Sequence, residues 1–233
     1  MRRAGLPAKC GVMLSIDEAR AAVLAEVRPL EDEEVAIGEA LGRVLAQDIA
    51  AVADVPGFAN SAMDGFAVRS GPAGRRLLIA GESRAGAPAS ASLADGEAIR
   101  ISTGAMLPDG ADAVLQIELV DEDVGSVVLN DDVAPGRNVR HPGEDMRAGT
   151  TVLRSGTVLG PAELGAAVNA GRAAVRVARR PRVAILATGD ELVEPGAPLG
   201  PGQVHDSNAT TLSALVARSG GHARALRVPD DRA

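Results

Sequence analysis

The stretch that decides the fold is residues 183–191, which read VAILATGDE. The first five of these residues are all apolar, and Val183 and Ile185 are β-branched. An apolar run without polar alternation is typical of a strand that is buried on both faces of a parallel α/β sheet. The Thr-Gly-Asp-Glu sequence then falls at the carboxyl end of that strand, where open α/β sheets bind their ligands.

A helix and a further strand are predicted after this stretch. The helix begins at residues 206–208 and ends before Gly220-Gly221, and residues 223–228 form the next predicted strand. A parallel sheet that is covered on both faces needs several such units. Residues 180–233 therefore predict only the first part of an α/β domain.

The middle of the chain has a different pattern. From Pro56 to Pro135, short apolar runs alternate with Gly, Pro and Asp turns, which predicts a small β barrel or sandwich. The clearest strands are predicted at residues 77–80, 98–101, 113–117 and 126–129. Residues 61–67, which read SAMDGFA, are predicted to form a turn-rich loop.

Helices are predicted on both sides of this β-rich segment. Ser15 and Glu18 have the spacing of a capping box, so a helix is predicted from about Ile16 to Arg28. A second helix is predicted over residues 38–46, and a third begins at Gly160-Pro161 because proline suits the first helical position.

Composition excludes several classes of function. The 233 residues carry 24 basic and 31 acidic side chains, a net charge of −7, and the aromatic residues are two Phe. An acidic chain without stacking aromatics is a poor nucleic-acid binder, and no stretch approaches the length of a membrane span. The single cysteine, Cys10, excludes an internal disulfide and fits a reducing, cytoplasmic setting. Residues 1–13 are predicted to be a disordered leader.

Three acidic or hydroxyl side chains in turns are candidates for chemistry. Asp64 lies in the SAMDGFA loop, Thr103 follows a predicted strand, and Asp145 follows Gly143-Glu144. Carboxylate oxygens are the ligands that Mg²⁺ prefers, so Asp64 and Asp145 can share an ion if they lie close together. Each residue also has a purely structural interpretation, as a turn residue or as part of a solvated acidic turn.

The segment around residue 190 supplies a second group of candidates. Asp190 and Glu191, after Thr188-Gly189, can ligate a metal or position a water molecule. The free amides of the helix that begins at Asp206-Ser207-Asn208 favour a phosphate or another oxyanion. The alternative interpretation of Asp206 and Ser207 is plain N-capping, and both interpretations can hold together.

Taken together, these stretches resemble the molybdopterin molybdenumtransferase family, which is also represented by the C-terminal domain of gephyrin. The order and spacing of the motifs match from about Leu14 onward, with Ala59 and His141-Pro142 departing from the usual pattern. The matching segments are residues 55–58 (VPGF), 61–67 (SAMDGFA), 101–105 (ISTGA), 108–114 (PDGADAV), 143–145 (GED), 187–192 (ATGDEL) and 205–208 (HDSN).

The resemblance implies a multi-domain α+β fold. Residues 14–54 and 137–179 correspond to a discontinuous linker domain, and residues 55–136 to an inserted β-rich domain. Residues 180–233 correspond to the N-terminal part of an α/β molybdopterin-binding domain. The family is typically a homodimer, with its active cleft between the α/β domain of one subunit and the inserted domain of the other.

The resemblance also implies a reaction and a set of site residues. The family inserts molybdenum from molybdate into adenylylated molybdopterin, with Mg²⁺-dependent release of AMP. Its catalytic positions correspond to Asp64, Thr103, Asp145 and Glu191, of which the three carboxylates are the expected metal ligands. Its pterin and nucleotide side corresponds to Thr188, Gly189, Asp190, Asp206, Ser207 and Asn208. Further molybdenum cofactor biosynthesis proteins are expected as partners. Neither a nucleic acid nor a membrane is expected as a partner.

Two other functions stay open from the sequence. One is a non-catalytic scaffold that keeps the fold, and the other is a fragment that binds a pterin or an anion without turnover. A scaffold has no need of Asp64, Asp145 and Glu191 together, which favours the enzyme.

Overall fold

The computed structural model describes residues 14–228, so the predicted leader and Cys10 lie outside the described residues. The helices of this range are α1 (Ile16–Glu26), α2 (Pro161–Asn169) and α3 (Ser207–Arg218). The strands are β1 (Asp32–Ala36), β2 (Ile49–Ala50), β3 (Asn60–Ser61), β4 (Gly65–Val68), β5 (Arg76–Ser83), β6 (Glu97–Ile101), β7 (Ala113–Gln116), β8 (Val120–Asp123), β9 (Ser126–Leu129), β10 (Val139–Arg140), β11 (Thr151–Leu153), β12 (Ala174–Ala178), β13 (Arg182–Thr188), β14 (Leu192–Val193), β15 (Val204–His205) and β16 (His222–Val228). Within residues 14–228, none of the helices has the length and apolarity that crossing a membrane requires.

The chain divides into two compact units. Glu34–Val177 form the larger unit, and the residues up to Glu33 form the smaller one together with those from Ala178 onward. The domain boundaries expected from the resemblance are a finer division and stay a prediction.

A six-stranded curled sheet dominates the larger unit. Its strand order is β7-β4-β6-β5-β9-β8, and its neighbours are antiparallel except for the β5–β6 pair. The strands predicted at residues 77–80, 98–101, 113–117 and 126–129 are confirmed as β5, β6, β7 and β9. The side chains that this sheet buries most completely include Phe66, Leu115 and Leu129, and their burial supplies its main apolar stabilisation.

The prediction that all of residues 61–67 form a loop is wrong. Gly65–Val68 form β4, which lies between β6 and β7 and is buried at every position. A short strand with two neighbours and two covered faces shows no polar alternation, and the preceding Met-Asp-Gly sequence is typical of a turn. The turn that was predicted is confined to residues 62–64, which we call the Asp64 loop.

The rest of the larger unit has its own core. Leu45, Ile49, Leu159 and Val177 are among its buried members, and α2 packs against it through Ala167. Helix α2 is confirmed, with Gly160 as its N-cap and Pro161 at its start. The helix predicted over residues 38–46 is wrong.

A single 3-10 turn, Ile37–Glu39, stands in place of that helix. Gly42 adopts a φ of 71°, which interrupts a right-handed helix, and Leu45 forms a bridge to Val177. Leu45 is therefore buried by pairing, while Leu41 stays exposed, and no helical face forms.

The smaller unit contains the βαβ element that the sequence predicted. β13 and β16 are parallel, with Arg182 opposite His222 and Thr188 opposite Val228, and α3 lies against both strands. The capping box of α1 is confirmed, although this helix ends at Glu26 instead of Arg28. The prediction that β13 is buried on both faces is wrong, because Ile185 is its only buried residue and Leu186 is 62% exposed. The β13–β16 sheet has two strands, and α3 packs against both of them.

Candidate functional site

Asp64 and Thr103 are brought together from two loops of the larger unit. The Thr103 backbone N–H donates to Asp64 Oδ1 at 2.7 Å, and the Thr103 hydroxyl donates to the same oxygen at 3.0 Å. These bonds stabilise the carboxylate, so the Thr103 backbone N–H, followed by its hydroxyl, lowers the pKa of Asp64. The other oxygen, Oδ2, takes part in neither bond, and the residue is exposed. The result is an ionised carboxylate with one oxygen directed to Thr103.

Buried strand β3 fixes the loops that carry these two side chains. The Ser61 N–H donates to the Ala105 carbonyl at 3.0 Å, and the Ser61 carbonyl accepts from the Gly104 N–H at 2.8 Å. The Ser61 hydroxyl donates to the Met63 carbonyl at 2.5 Å, which closes the Asp64 loop. Ser61 is 1% exposed, so the anchor of the loop lies in the core.

The lowered pKa of Asp64 gives a prediction for Thr103→Val. Valine removes the hydroxyl and keeps the backbone N–H, so we expect the pKa of Asp64 to rise toward the ordinary Asp value without reaching it. A lowered folded-state pKa contributes stability that is present above the unfolded pKa and is lost as pH falls through the folded value. The variant should therefore lose less stability in acid. Carboxyl-carbon NMR titration measures the shift, and Asp131, whose pKa is lowered chiefly by Arg137, is the internal control. An unchanged Asp64 midpoint would contradict the prediction.

Asp145 has a cationic partner that the sequence analysis missed. Arg140 Nη2 lies 2.5 Å from Asp145 Oδ1, and Arg140 Nε lies 3.4 Å from Glu144 Oε1. Asp145, and then Glu144, raises the pKa of Arg140. The signal was present in the sequence, because an Arg four and five residues before two carboxylates can reach both across a tight turn. Asp145 is thus part of an ion pair and differs from Asp64 in its charge environment.

The β3–β10 ladder directs the chain segments that carry Asp64 and Asp145 away from each other. The two strands are antiparallel, with Ser61 opposite Val139 and Asn60 opposite Arg140. Asp64 follows β3 and Asp145 follows β10, so the two residues leave this ladder from opposite ends. Among residues 14–228 there is no group of three or more His, Cys, Asp or Glu side chains arranged to hold a metal ion. The expected ligand set of Asp64, Asp145 and Glu191 stays a prediction.

The donor chemistry of Asp64 nevertheless fits magnesium. Mg²⁺ is commonly bound through one or two carboxylates, while water and substrate phosphates fill its other positions. Asp64 is exposed, and its Oδ2 lies outside the two Thr103 bonds. It is therefore suited to be a single protein ligand of such an ion.

The Thr188–Glu191 loop of the smaller unit folds tightly at the carboxyl end of β13. Gly189 has a φ of 134°, and a Cβ at this position would lie 2.5 Å from Glu191 Oε2. The Glu191 carboxylate therefore lies over Gly189, whose positive φ is one that L side chains rarely adopt. The Glu191 carbonyl accepts from the Val204 N–H at 2.9 Å, which joins the loop to β15.

Asp206 begins helix α3, and the N-capping interpretation is confirmed. Asp206 Oδ1 accepts from the Ala209 N–H at 2.9 Å, and Ser207 and Asn208 are the first two residues of the helix. The anion-binding interpretation of the same three residues stays a prediction. Asp206 also borders a cavity of about 500 Å³ at the carboxyl end of the β13–β16 sheet. Its lining includes Ala187, Leu192, Pro195, Thr210, Leu226 and Arg227.

The cap gives a prediction for Asp206. Replacement by Ala is expected to lower the free energy of unfolding by about 1 kcal/mol, because the Ala209 N–H loses its acceptor. Asp206→Ser keeps a capping oxygen and should stay close to wild type in urea unfolding. Equal losses in both variants would show that Asp206 stabilises the chain by something other than the cap.

Comparison with known proteins gives the class that this fold and these loops define. Residues 14–171 match the family described as the MoeA N-terminal region (domain I and II), and the chain belongs to this family. Molybdopterin molybdenumtransferase of Haemophilus influenzae is 41% identical over 209 residues, covering 88% of this chain and 52% of the relative. Molybdopterin molybdenumtransferase 2 of Mycobacterium tuberculosis is 40% identical over 215 residues, covering 89% and 53%.

A solved structure supports the same assignment. The chain is similar to the molybdopterin biosynthesis MoeA protein of Pyrococcus horikoshii OT3, with a TM-score of 0.85 and 33% identity. The match covers 93% of this chain and 60% of that protein. The chain thus spans about half the length of the curated relatives that it matches.

Proposed function

We propose that the chain acts in molybdenum cofactor biosynthesis as a molybdopterin molybdenumtransferase. It inserts molybdenum from molybdate into adenylylated molybdopterin and releases AMP in a Mg²⁺-dependent reaction. The observation that carries the proposal is the ionised Asp64, which Thr103 holds by two hydrogen bonds to one oxygen while the residue stays exposed. Two relatives that are at least 40% identical bear the name of this enzyme.

Charge explains why an acidic site suits this substrate. Adenylylated molybdopterin and molybdate are both anions, so carboxylates bind them only through a cation. Bound Mg²⁺ supplies charge neutralisation at the phosphoryl oxygens. Asp64, Asp145 and Glu191 are the proposed ligands or water-positioning groups. Thr103 donates its hydroxyl proton to Asp64, so toward the substrate this hydroxyl acts as an acceptor.

The smaller unit supplies the proposed binding surface for the pterin. The cavity of about 500 Å³ falls in the range of small-molecule sites, and Asp206 at its border begins α3. Amides of Ser207 and Asn208 at the helix N-terminus suit a phosphate group, and the Thr188–Asp190 loop lies at the same end of β13. We propose that the pterin lies in the cavity and its phosphate near these amides.

The remaining parts of the proposal concern assembly and location. We propose a homodimer in the cytoplasm, with a small pterin substrate and with other molybdenum cofactor biosynthesis proteins as partners. The family resemblance supports each of these points.

The direct test is an AMP-release assay. Purified chain is incubated with adenylylated molybdopterin, molybdate and Mg²⁺, with the Haemophilus influenzae relative as the positive control. We expect AMP release that depends on both molybdate and Mg²⁺ and stops when EDTA is added. Release by the relative but not by the folded chain would overturn the proposal for this chain.

A second function, pterin binding without turnover, has one observation in its favour. Among residues 14–228, the cavity is lined by residues between Ala187 and Arg227, all of which belong to the smaller unit. Calorimetry distinguishes the two functions. Saturable binding of adenylylated molybdopterin without AMP release would favour the binding module over the enzyme.

A further inference from the structure

We propose that Asn138 is a positioning residue that fixes the Asp64 loop by tying it to strand β7. This inference rests on the proposed function, because Asn138 acts on the loop that carries the proposed catalytic carboxylate. Neither the motifs nor the expected site residues include Asn138.

The backbone of Asn138 is unusual. Its φ of 54° lies in the left-handed region, and it is the one non-glycine residue between positions 14 and 228 with a positive φ. Asparagine tolerates this region better than most residues, but glycine adopts it at lower cost. Two positions earlier, a similar φ of 76° is adopted by a glycine, Gly136. A side chain at position 138 is therefore retained where the backbone alone would favour glycine.

Two sets of hydrogen bonds explain why an amide side chain is needed. The Asn138 carbonyl accepts from the Ala62 N–H at 2.9 Å, at the start of the Asp64 loop. Asn138 Nδ2 donates to the Val114 carbonyl and to Gln116 Oε1, both at 3.0 Å. The Asn138 amide thus adds a side-chain connection to β7 beside the backbone bond from the Val114 N–H to the Arg137 carbonyl at 2.9 Å, and glycine would lose this side-chain connection.

The connection closes a ring around Asp64. Ile117, directly after Gln116, donates its N–H to the Asp64 carbonyl at 3.1 Å. The loop is therefore held at Ala62 by Asn138 and at Asp64 by the end of β7, and the Asn138 amide fixes the distance between these two supports. Thr103 then sets the direction of the carboxylate. Loss of the amide leaves the backbone bonds in place and removes the side-chain connection between them.

The test uses the full chain with three variants. Asn138→Gly removes the amide and relieves the backbone strain, so its Tm is expected to stay within about 3 °C of wild type. Gln116→Ala removes one partner of the amide and leaves Asn138 in place. Asp132→Ala removes the carboxylate that accepts the Ala73 N–H at 2.7 Å, and it is the matched control.

Two readouts separate positioning from general stability. Hydrogen exchange of the Ala62 and Thr103 amides is expected to rise at least about fivefold in Asn138→Gly and to stay unchanged in Asp132→Ala. The kcat of AMP release is expected to fall about 10- to 100-fold while KM stays within about twofold, because a misplaced carboxylate affects the chemical step. Gln116→Ala should show smaller changes in the same direction.

Each outcome decides one of the two proposals. Unchanged exchange at Ala62 and Thr103 would overturn the role of Asn138, whether or not AMP is released. Raised exchange with an unchanged kcat would show that the tie is structural only, and would also overturn it. If the wild-type chain releases no AMP, the proposed function fails, while exchange still decides whether Asn138 holds the loop. If Asn138→Gly does not fold, Gln116→Ala tests the same tie.

Discussion

Asp64→Asn is expected to lower the rate of AMP release at least about 100-fold while the Tm stays within about 3 °C of wild type. Asparagine keeps an oxygen that accepts the 2.7 Å and 3.0 Å hydrogen bonds from Thr103, so the loop should keep its conformation. The substitution removes the negative charge, which is the property that a magnesium ligand needs. The measurements are AMP release under saturating substrate and thermal unfolding.

Asp112→Asn is a closely matched control for this variant. Asp112 likewise accepts a backbone N–H and a hydroxyl from one residue, with the Ser70 N–H 2.6 Å from Oδ1 and the Ser70 hydroxyl 2.7 Å from Oδ2, so its two bonds use both oxygens. It lies in the same unit and is not a proposed site residue, so its variant should keep full activity. A large drop in Tm for Asp64→Asn would support the interpretation of Asp64 as a turn residue. Equal loss of activity in both variants would contradict a special role of Asp64.

Gly65→Ala is expected to lower the free energy of unfolding by about 3 kcal/mol, the largest effect on stability that the structure predicts for a single methyl group. Gly65 begins β4, and a Cβ at this position would lie 2.1 Å from the Leu115 carbonyl oxygen. The contact is with backbone of neighbouring strand β7, so no side-chain rotation relieves it. The sheet must open between β4 and β7, directly beside Asp64. Urea unfolding measures the loss.

Gly81→Ala is the control for the glycine substitution itself. Gly81 also lies in a strand of the same sheet, but a Cβ there would meet nothing within 4 Å. Its variant should be neutral or slightly more stable, because alanine lowers the entropy of the unfolded chain. Similar losses for Gly65→Ala and Gly81→Ala would show that the contact with Leu115 is not the cause.

Local signals in the sequence predicted those elements that depend on neighbouring residues. The capping box at Ser15 and Glu18, the Gly160-Pro161 start of α2 and the Asp206 cap each involve residues within one helical turn. The parallel β13–α3–β16 unit was predictable because its apolar run and its glycine stop are both continuous in sequence. In each case the physical cause lies within a few residues.

Features that depend on distant pairing were not predictable in the same way. β4 was missed because its burial comes from β6 and β7, which are more than 30 residues away. β13 shows the opposite error. Its apolar run predicted burial on both faces, but within residues 14–228 it pairs with one strand, and Ile185 is its only buried residue. Apolar composition indicates that a strand can be buried, but the number of neighbours decides whether it is.

The candidate site shows the same division. The motifs indicated Asp64 and Thr103, although not that one donates to the other, because the two are 39 residues apart. Asn138 gave no signal, since its role follows from a backbone angle and from partners on another strand. Arg140 was recognisable from its spacing to Glu144 and Asp145 and was overlooked.

We propose that the exposed Asp64 carboxylate is a ligand of a divalent ion in the complex with substrate. Carboxyl-carbon NMR of the chain with adenylylated molybdopterin, titrated with Mn²⁺ in place of Mg²⁺, tests this claim most directly, because Mn²⁺ shares the oxygen preference of Mg²⁺ and broadens only nearby signals. We expect the Asp64 signal to broaden at low Mn²⁺, while those of Asp112 and Asp131 stay sharp. An Asp64 signal that stays sharp at saturating Mn²⁺ would contradict the proposal.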